Sequence, residues 1–300
     1  MDAWIPITLA ATAAQTLRFM AQKHLRATSL STGGATWARF AFSAPLVALG
    51  AWTYGRASGQ GLPSAGPGFW AYALIGGLTQ ILATLCVVAL FGRRNFAVGI
   101  ALKKTEVMLT ALAGFVVLGD RVSAAGAVAI ALGFVAVLLL SDPPGEAARC
   151  WRRFATPSAG LGLLSGLFFA ASAVGYRGAV LALEGGDTVL RAGSSLAVVT
   201  LAQTLALGLW LLWREPGQVR AVLGAWRVAG LVGLFSMLGS FGWFTAFALQ
   251  NAAYVFALGQ VEIAFSMLAS VLVFGERISG REVRGMAVLT ASILLLILGG

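Results

Sequence analysis

Two stretches of this chain carry one design written twice. Asn95 to Ser123, NFAVGIALKKTEVMLTALAGFVVLGDRVS, returns as Asn251 to Ser279, NAAYVFALGQVEIAFSMLASVLVFGERIS, at a constant offset of 156 residues. The copies share Asn95/Asn251, Glu106/Glu262, Gly119/Gly275, Arg121/Arg277 and Ser123/Ser279. Each places a carboxylate near the middle of an apolar run. A lone charge at the centre of a bilayer costs at least about 2.5–3.5 kcal/mol on insertion scales. Two such charges related by a repeat restrict the chain to folds that give both a purpose or a partner.

The rest of the chain sets the surroundings. It is 59% hydrophobic and 11% charged, with a mean hydropathy of +0.87. A soluble domain is nearer a quarter charged, and one of 300 residues has too little interior to hide this much apolar surface. A helix needs roughly 20 apolar residues to cross a bilayer. That measure gives ten spans: Trp4–Ala21, Gly34–Tyr54, Phe69–Phe91, Phe96–Leu118, Ala124–Leu140, Ala159–Leu183, Thr188–Trp213, Val228–Leu249, Ala252–Phe274 and Glu282–Leu298. The expected fold is an all-α polytopic membrane protein. Residues 1–141 form the first five-helix repeat, 142–158 a polar connecting loop, and 159–300 the second repeat. Five is odd, so equivalent helices run in opposite directions, the inverted-topology construction of many secondary transporters.

The net charge of +10 lies in short loops rather than in a basic domain, which argues against nucleic-acid binding. Loops after odd-numbered spans hold most of it, including Lys23, Arg26, Arg93, Arg94, Arg214 and Arg227; loops after even-numbered spans hold little beyond Arg56 and Arg121. By the positive-inside rule the odd loops face the cytoplasm of a bacterial-type inner membrane and both termini are periplasmic. Cys86 and Cys150 form no metal or disulfide pattern, and His24 is the only histidine. With no phosphate-cradling loop either, no cofactor, metal or enzymatic activity is expected. The start of the chain has no basic region of the kind that opens a cleavable signal peptide.

Glu106 and Glu262 each lie roughly 15 Å from either end of their spans at 1.5 Å per residue. They suit a midplane substrate or proton site at the repeat interface. The alternative for Glu106 is a structural pair with Lys103, three residues earlier on the same face; Gly259 stands at that place before Glu262. Lys104, opposite Gln260 in the repeat, lies about 200° around the helix from Glu106 and meets either a substrate carboxylate or another helix. Gln15 and Arg18 share a face of the first span and form a candidate cavity wall; the alternative for Arg18, close to the expected helix end, is to snorkel. Gln80 and Thr84 share a face of the third span. Tyr176, Trp243, Phe244 and Tyr254 form a candidate aromatic wall. Gly126, Ile130 and Gly133 with Gly285 and Leu289 suit close packing of the fifth and tenth spans, within one chain or between two copies.

Lys104-Thr105-Glu106 through Leu118-Gly119-Asp120-Arg121, Gly259-Gln260-Val261-Glu262 through Phe274-Gly275-Glu276-Arg277, and Arg39-Phe40 in the second span resemble the EamA-type branch of the drug/metabolite transporter superfamily. Many members have proline at the middle of the fourth and ninth helices, where this chain has Glu106 and Glu262. The resemblance covers nearly the whole chain and extends to bacterial amino-acid exporters of the YddG type. It implies a secondary transporter of small metabolites, with amino-acid export by alternating access as the leading expectation and export of lipophilic cations or drugs as the alternative. The expected partners are a small-molecule substrate, a coupling proton and the lipid bilayer, in a monomer or homodimer.

Overall fold

The computed structural model describes residues 2–27, 30–91, 103–141, 157–265 and 280–299. They form α1 (Trp4–Ala27), α2 (Thr32–Ala57), α3 (Pro67–Phe91), α4 (Glu106–Leu118), α5 (Ala124–Ser141), α6 (Pro157–Leu181), α7 (Thr188–Arg214), the short α8 (Gln218–Gly224), α9 (Trp226–Leu249), α10 (Ala252–Leu258) and α11 (Gly280–Gly299). A two-residue strand β1 (Ser64–Ala65) pairs antiparallel with β2 (Leu183–Glu184). The turn at Asn95, the connector at 142–156 and the Gly275–Glu276–Arg277 motif lie outside the described residues.

Side-chain oxygens start several helices. Ser31 accepts from the Gly34 amide ahead of α2, Asp187 from Leu190 ahead of α7, and Asn251 from Ala253 ahead of α10. Each satisfies an amide the helix leaves unpaired. Two boundaries depart from expectation. α1 runs on to Ala27, so Lys23 and His24 belong to its last turns rather than to a loop. The basic stretch after α7 holds the helix α8.

The outer surface is apolar and much of the interior is polar. Leu74, Val116, Trp213 and Leu298 are exposed, whereas Arg18, Gln22, Arg39, Gln203 and Gln260 are buried. A water-soluble fold does the reverse. Helices over Pro67–Leu90, Pro157–Leu181, Thr188–Arg214 and Trp226–Leu249 are long and apolar enough to cross a membrane, and shorter apolar helices accompany them. Arginines lie over exposed tryptophans near helix ends, as Arg214 does on Trp213 and Arg227 on Trp226. Such rings suit the headgroup level of a bilayer.

The chain's two halves interleave. α3 packs along α6, α1 along α9, α5 along α11, α2 along α7, and α4 along α6 and α10. Each pair joins an element before residue 141 to one after 157. At the α3–α6 crossing the backbones nearly touch: a Cβ on Gly175 would lie 2.8 Å from the Gly76 Cα. Small residues permit this close approach where no hydrophobic effect drives helices together in lipid. The α5–α11 contact is of the same kind, with the Ser292 hydroxyl donating to the Ala129 carbonyl (2.7 Å) in front of Gly133. Gly126 instead makes room for the ring of Tyr254.

The connections sort to two ends. At one, the Ser31 amide donates to the Gln218 side chain (2.9 Å) and its hydroxyl bonds Glu215. At the other, β1 meets β2, and Asp187 accepts from Gln60 (2.9 Å) and Tyr54 (2.7 Å).

Candidate functional site

Both copies of the repeated segment break their helix at the carboxylate. Lys104 and Thr105 form a turn before α4 starts at Glu106, and Gly259 and Gln260 form a turn after α10, with helix resuming at residue 261. Across the second break the bonds tighten to three-residue spacing, Glu262 N–H to Gly259 O (3.1 Å) and Ile263 N–H to Gln260 O (3.0 Å). The continuous helix expected over Ala252–Phe274 is thus corrected by the turn at Gly259 and Gln260, and the described part of Phe96–Leu118 has its own turn just ahead of Glu106. Irregular backbone at membrane depth persists only where protein or a polar cavity surrounds it.

Glycines admit the neighbours that cover the breaks. On α6, a Cβ at Gly166 would lie 2.8 Å from the Lys103 carbonyl oxygen. In the second copy, a Cβ at Gly259 would lie 2.6 Å from the edge of the Trp243 ring. A lysine at 259, matching Lys103, would therefore collide with Trp243.

Lys103 Nζ contacts Glu106 at 2.9 Å, and Lys104 Nζ contacts Glu262 at 2.9 Å. The first pair is local, as its spacing allowed. The second crosses between the repeat copies. Glu262 therefore does have a lysine, supplied from the other half of the chain. Lys103, Lys104 and Glu106 are each 4% exposed. Gln15 joins them, its amide 3.5 Å from Glu262 and its carbonyl oxygen accepting from the Trp243 indole at 3.1 Å. Glu106 Oε2 and Gln260 Oε1 are buried without a hydrogen-bond partner.

These groups line a cavity of about 20 Å³. A second cavity, of about 30 Å³, adjoins it and shares the walls Gln15, Phe169, Trp243 and Phe256. Its far wall holds Arg39, Gln80, Tyr176 and Ser240. The Arg39 guanidinium donates to Thr84 (2.8 Å) and Ser240 (3.3 Å). Tyr176 donates to Gln80 (2.7 Å), and Gln203 bonds both. Trp243, Phe247 and Phe256 pack mutually, with ring centroids 5.4–5.9 Å apart. Each cavity has room for a water or two, so a metabolite enters only if the walls separate. A larger cavity of about 290 Å³ between α2, α7 and α9 is lined almost wholly by apolar groups such as Leu46, Met237 and Phe241. It lacks the convergent polar groups of a metabolite site.

The fold thus brings together Gln15, Gln80, Lys104, Glu106, Tyr176, Trp243, Gln260 and Glu262. Thr84 stands behind them as a support for Arg39. Arg18 neither snorkels nor lines the cavities: it is 2% exposed, bonds Gln22 (2.8 Å) and stacks on Phe19. The extension of α1 to Ala27 places it too deep to reach the surface. Tyr254 lies apart, its hydroxyl accepting from the Ser123 amide at 2.8 Å. Arg39, Phe256 and Ser240 lacked a site assignment from sequence. For Arg39 the signal was there, as an arginine within the second span; the two others resemble ordinary packing residues.

One end of the bundle is clamped by the first copy's motif. Left-handed Gly119 (φ 69°) ends α4 and turns Asp120 outward. Asp120 accepts two bonds from Arg177, from Nε at 2.9 Å and Nη2 at 3.0 Å. Arg177 also donates to the carbonyls of Phe247 and Gln250 at the end of α9. The clamp joins α4, α6 and α9 beside the two cavities.

Residues 156–298 match the EamA-like transporter family. That match covers the second half of the chain, and with the apolar helices it marks a multi-pass membrane protein similar to transporters of the drug/metabolite superfamily. Over its whole length it shares its fold with a protein of known crystal structure, with a TM-score of 0.71 and 16% identity over 98% of this chain and 99% of that one. No curated protein matches the chain in sequence.

Proposed function

We propose that the chain is a secondary transporter that exports small metabolites, amino acids foremost, through the paired cavities at its centre. The observation that carries this reading is the Lys104–Glu262 pair. It bridges two broken helices from opposite halves, at a cavity that also holds Glu106 and Gln260 with unpartnered oxygens. Broken helices meeting at the middle of the bilayer are the usual substrate and ion sites of transporters built from inverted repeats. Here the repeats would be two sets of five helices with opposite orientation. The halves would rock about the cavities, and the Asp120–Arg177 clamp would close one end. Glu262 or Glu106 would bind an ammonium group or the coupling proton, and the aromatic cluster the substrate side chain. The basic loops favour an inner-membrane protein with periplasmic termini, as a monomer or homodimer.

Uptake of radiolabelled amino acids into proteoliposomes tests this. Glu262→Gln should reduce transport at least a hundredfold, and wild-type rates in both Glu262→Gln and Glu106→Gln would overturn the site. The aromatic cluster equally suits lipophilic cations. Against them, both carboxylates already hold lysines, and drug-resistance assays with quaternary ammonium compounds separate the two readings.

A further inference from the structure

We propose that the Arg39 lobe of the paired cavities is a carboxylate-binding subsite and that the substrate is a carboxylic acid rather than a cation; this rests on the transporter reading above. The charge balance points this way. Among the described residues, four cationic side chains are buried in the central region, Arg18, Arg39, Lys103 and Lys104, against two carboxylates, Glu106 and Glu262. Each lysine holds one carboxylate. Among the described residues the hydrogen-bond partners of both arginines are neutral, Gln22 for Arg18 and Thr84 and Ser240 for Arg39, but Arg18 also feels the charge of Glu262 at longer range, whereas Arg39 has no acidic neighbour. Among the described residues Arg39 is thus without an acidic partner, and an unpaired buried charge is costly enough that an anion entering beside it is strongly favoured.

Geometry selects Arg39 over Arg18 as the contact. Arg39 is in the cavity wall, 4% exposed, and held in place by two hydroxyls. Arg18 is turned onto Phe19 and Gln22, outside both cavities, and adds positive potential from behind. A guanidinium has five donors in a planar fork that matches a carboxylate in bidentate fashion. The adjoining lobe offers the opposite chemistry, the free oxygens of Glu106 and Gln260. An α-amino acid would span the two, carboxylate to Arg39 and ammonium toward Glu106.

Thermal-shift measurements on the purified full chain in detergent test this. The probes are the proteinogenic amino acids and short mono- and dicarboxylates, each beside its amide, with tetraphenylphosphonium and phosphoethanolamine added. At least one free carboxylate should stabilise the protein, with its amide at least tenfold weaker. Arg39→Gln should erase that acid-over-amide preference and Arg39→Lys should keep part of it. Should Arg39→Gln fail to fold, the wild-type acid and amide pairs and Arg39→Lys decide the matter. The subsite is overturned if no carboxylate in the panel stabilises the protein, if amides match acids, if phosphoethanolamine outcompetes every carboxylate, or if Arg39→Gln keeps the full preference. Stabilisation by tetraphenylphosphonium alone, with transport of that cation in proteoliposomes, would remove the subsite and leave the transporter standing.

Discussion

The two helix breaks start from one template and end with opposite equipment. The first, Lys103-Lys104-Thr105-Glu106, carries two cations and one anion; the second, Gly259-Gln260-Val261-Glu262, carries one anion and none of the cations. Neither is balanced alone. The first break's surplus lysine, Lys104, crosses to Glu262, so the halves are joined by a charge that each lacks or exceeds by one. The place Lys103 occupies in one copy is glycine in the other because the Trp243 ring fills that space. A repeated segment thus carries an asymmetric site: an ion-paired face from the first copy and an aromatic-covered face from the second.

The largest expected effect comes from splitting the crossed pair. Glu262→Gln leaves Lys104 buried beside a neutral side chain and should lower stability by about 3–5 kcal/mol, read as the unfolding midpoint in detergent. Replacing both partners, Lys104→Met with Glu262→Met, should restore much of that stability, since well-packed apolar pairs often equal buried ion pairs, while transport stays lost. If the double variant transports, the pair serves the fold alone.

The clamp is the next test. Asp120→Asn removes the charge facing Arg177 and should cost about 1.5–3 kcal/mol, the range for hydrogen bonds to charged groups. Amide exchange at residues 119–123 and 250–251 should rise while the breaks keep their protection; faster exchange at the breaks too would mean that the clamp holds the whole centre closed. Gly259→Ala should then cost about 1–3 kcal/mol by displacing Trp243, with a shift in tryptophan fluorescence. An unshifted spectrum would show that the ring is not what requires glycine there.

The smallest effect lies outside the repeated segments, where Asp187 accepts from Gln60, Tyr54 and the Leu190 amide. The Gln60 amide, the Leu190 N–H and the Tyr54 hydroxyl hold its carboxyl below its ordinary 3.8. A lowered folded value stabilises the fold above the ordinary value, and that contribution is lost as pH falls through the lowered one. The melting difference between wild type and Asp187→Asn should be small, flat from pH 5 to 8, and vanish in stronger acid. A difference that grows on acidification contradicts the assignment.

Much of this was legible without coordinates. The long apolar helices followed from runs of about 20 apolar residues, and Glu106 and Glu262 stood out as charges within apolar stretches. The local Lys103–Glu106 pair followed from three-residue spacing. Three features were harder to read. Arg18 was placed by the early helix end inferred from the basic Lys23–Arg26 stretch, whereas those residues extend the helix. Tyr254 shares its stretch with the site, yet lies ahead of the break, in α10, and serves Ser123. Arg39 was visible as an intramembrane charge, but its role depends on which side chains from α3 and α9 reach it.

The amino-acid sequence by itself therefore determined the membrane class, the repeated segment and the placement of its charged residues within apolar runs, because burial energy and helical period act locally along a chain. Tertiary structure alone decided that both repeated helices break at those charges, that Lys104 belongs to Glu262, and that Arg39 faces the cavity without an acidic partner among the described residues. Those outcomes depend on how helices separated by more than a hundred residues cross, and no local spacing encodes which side chains meet at a crossing.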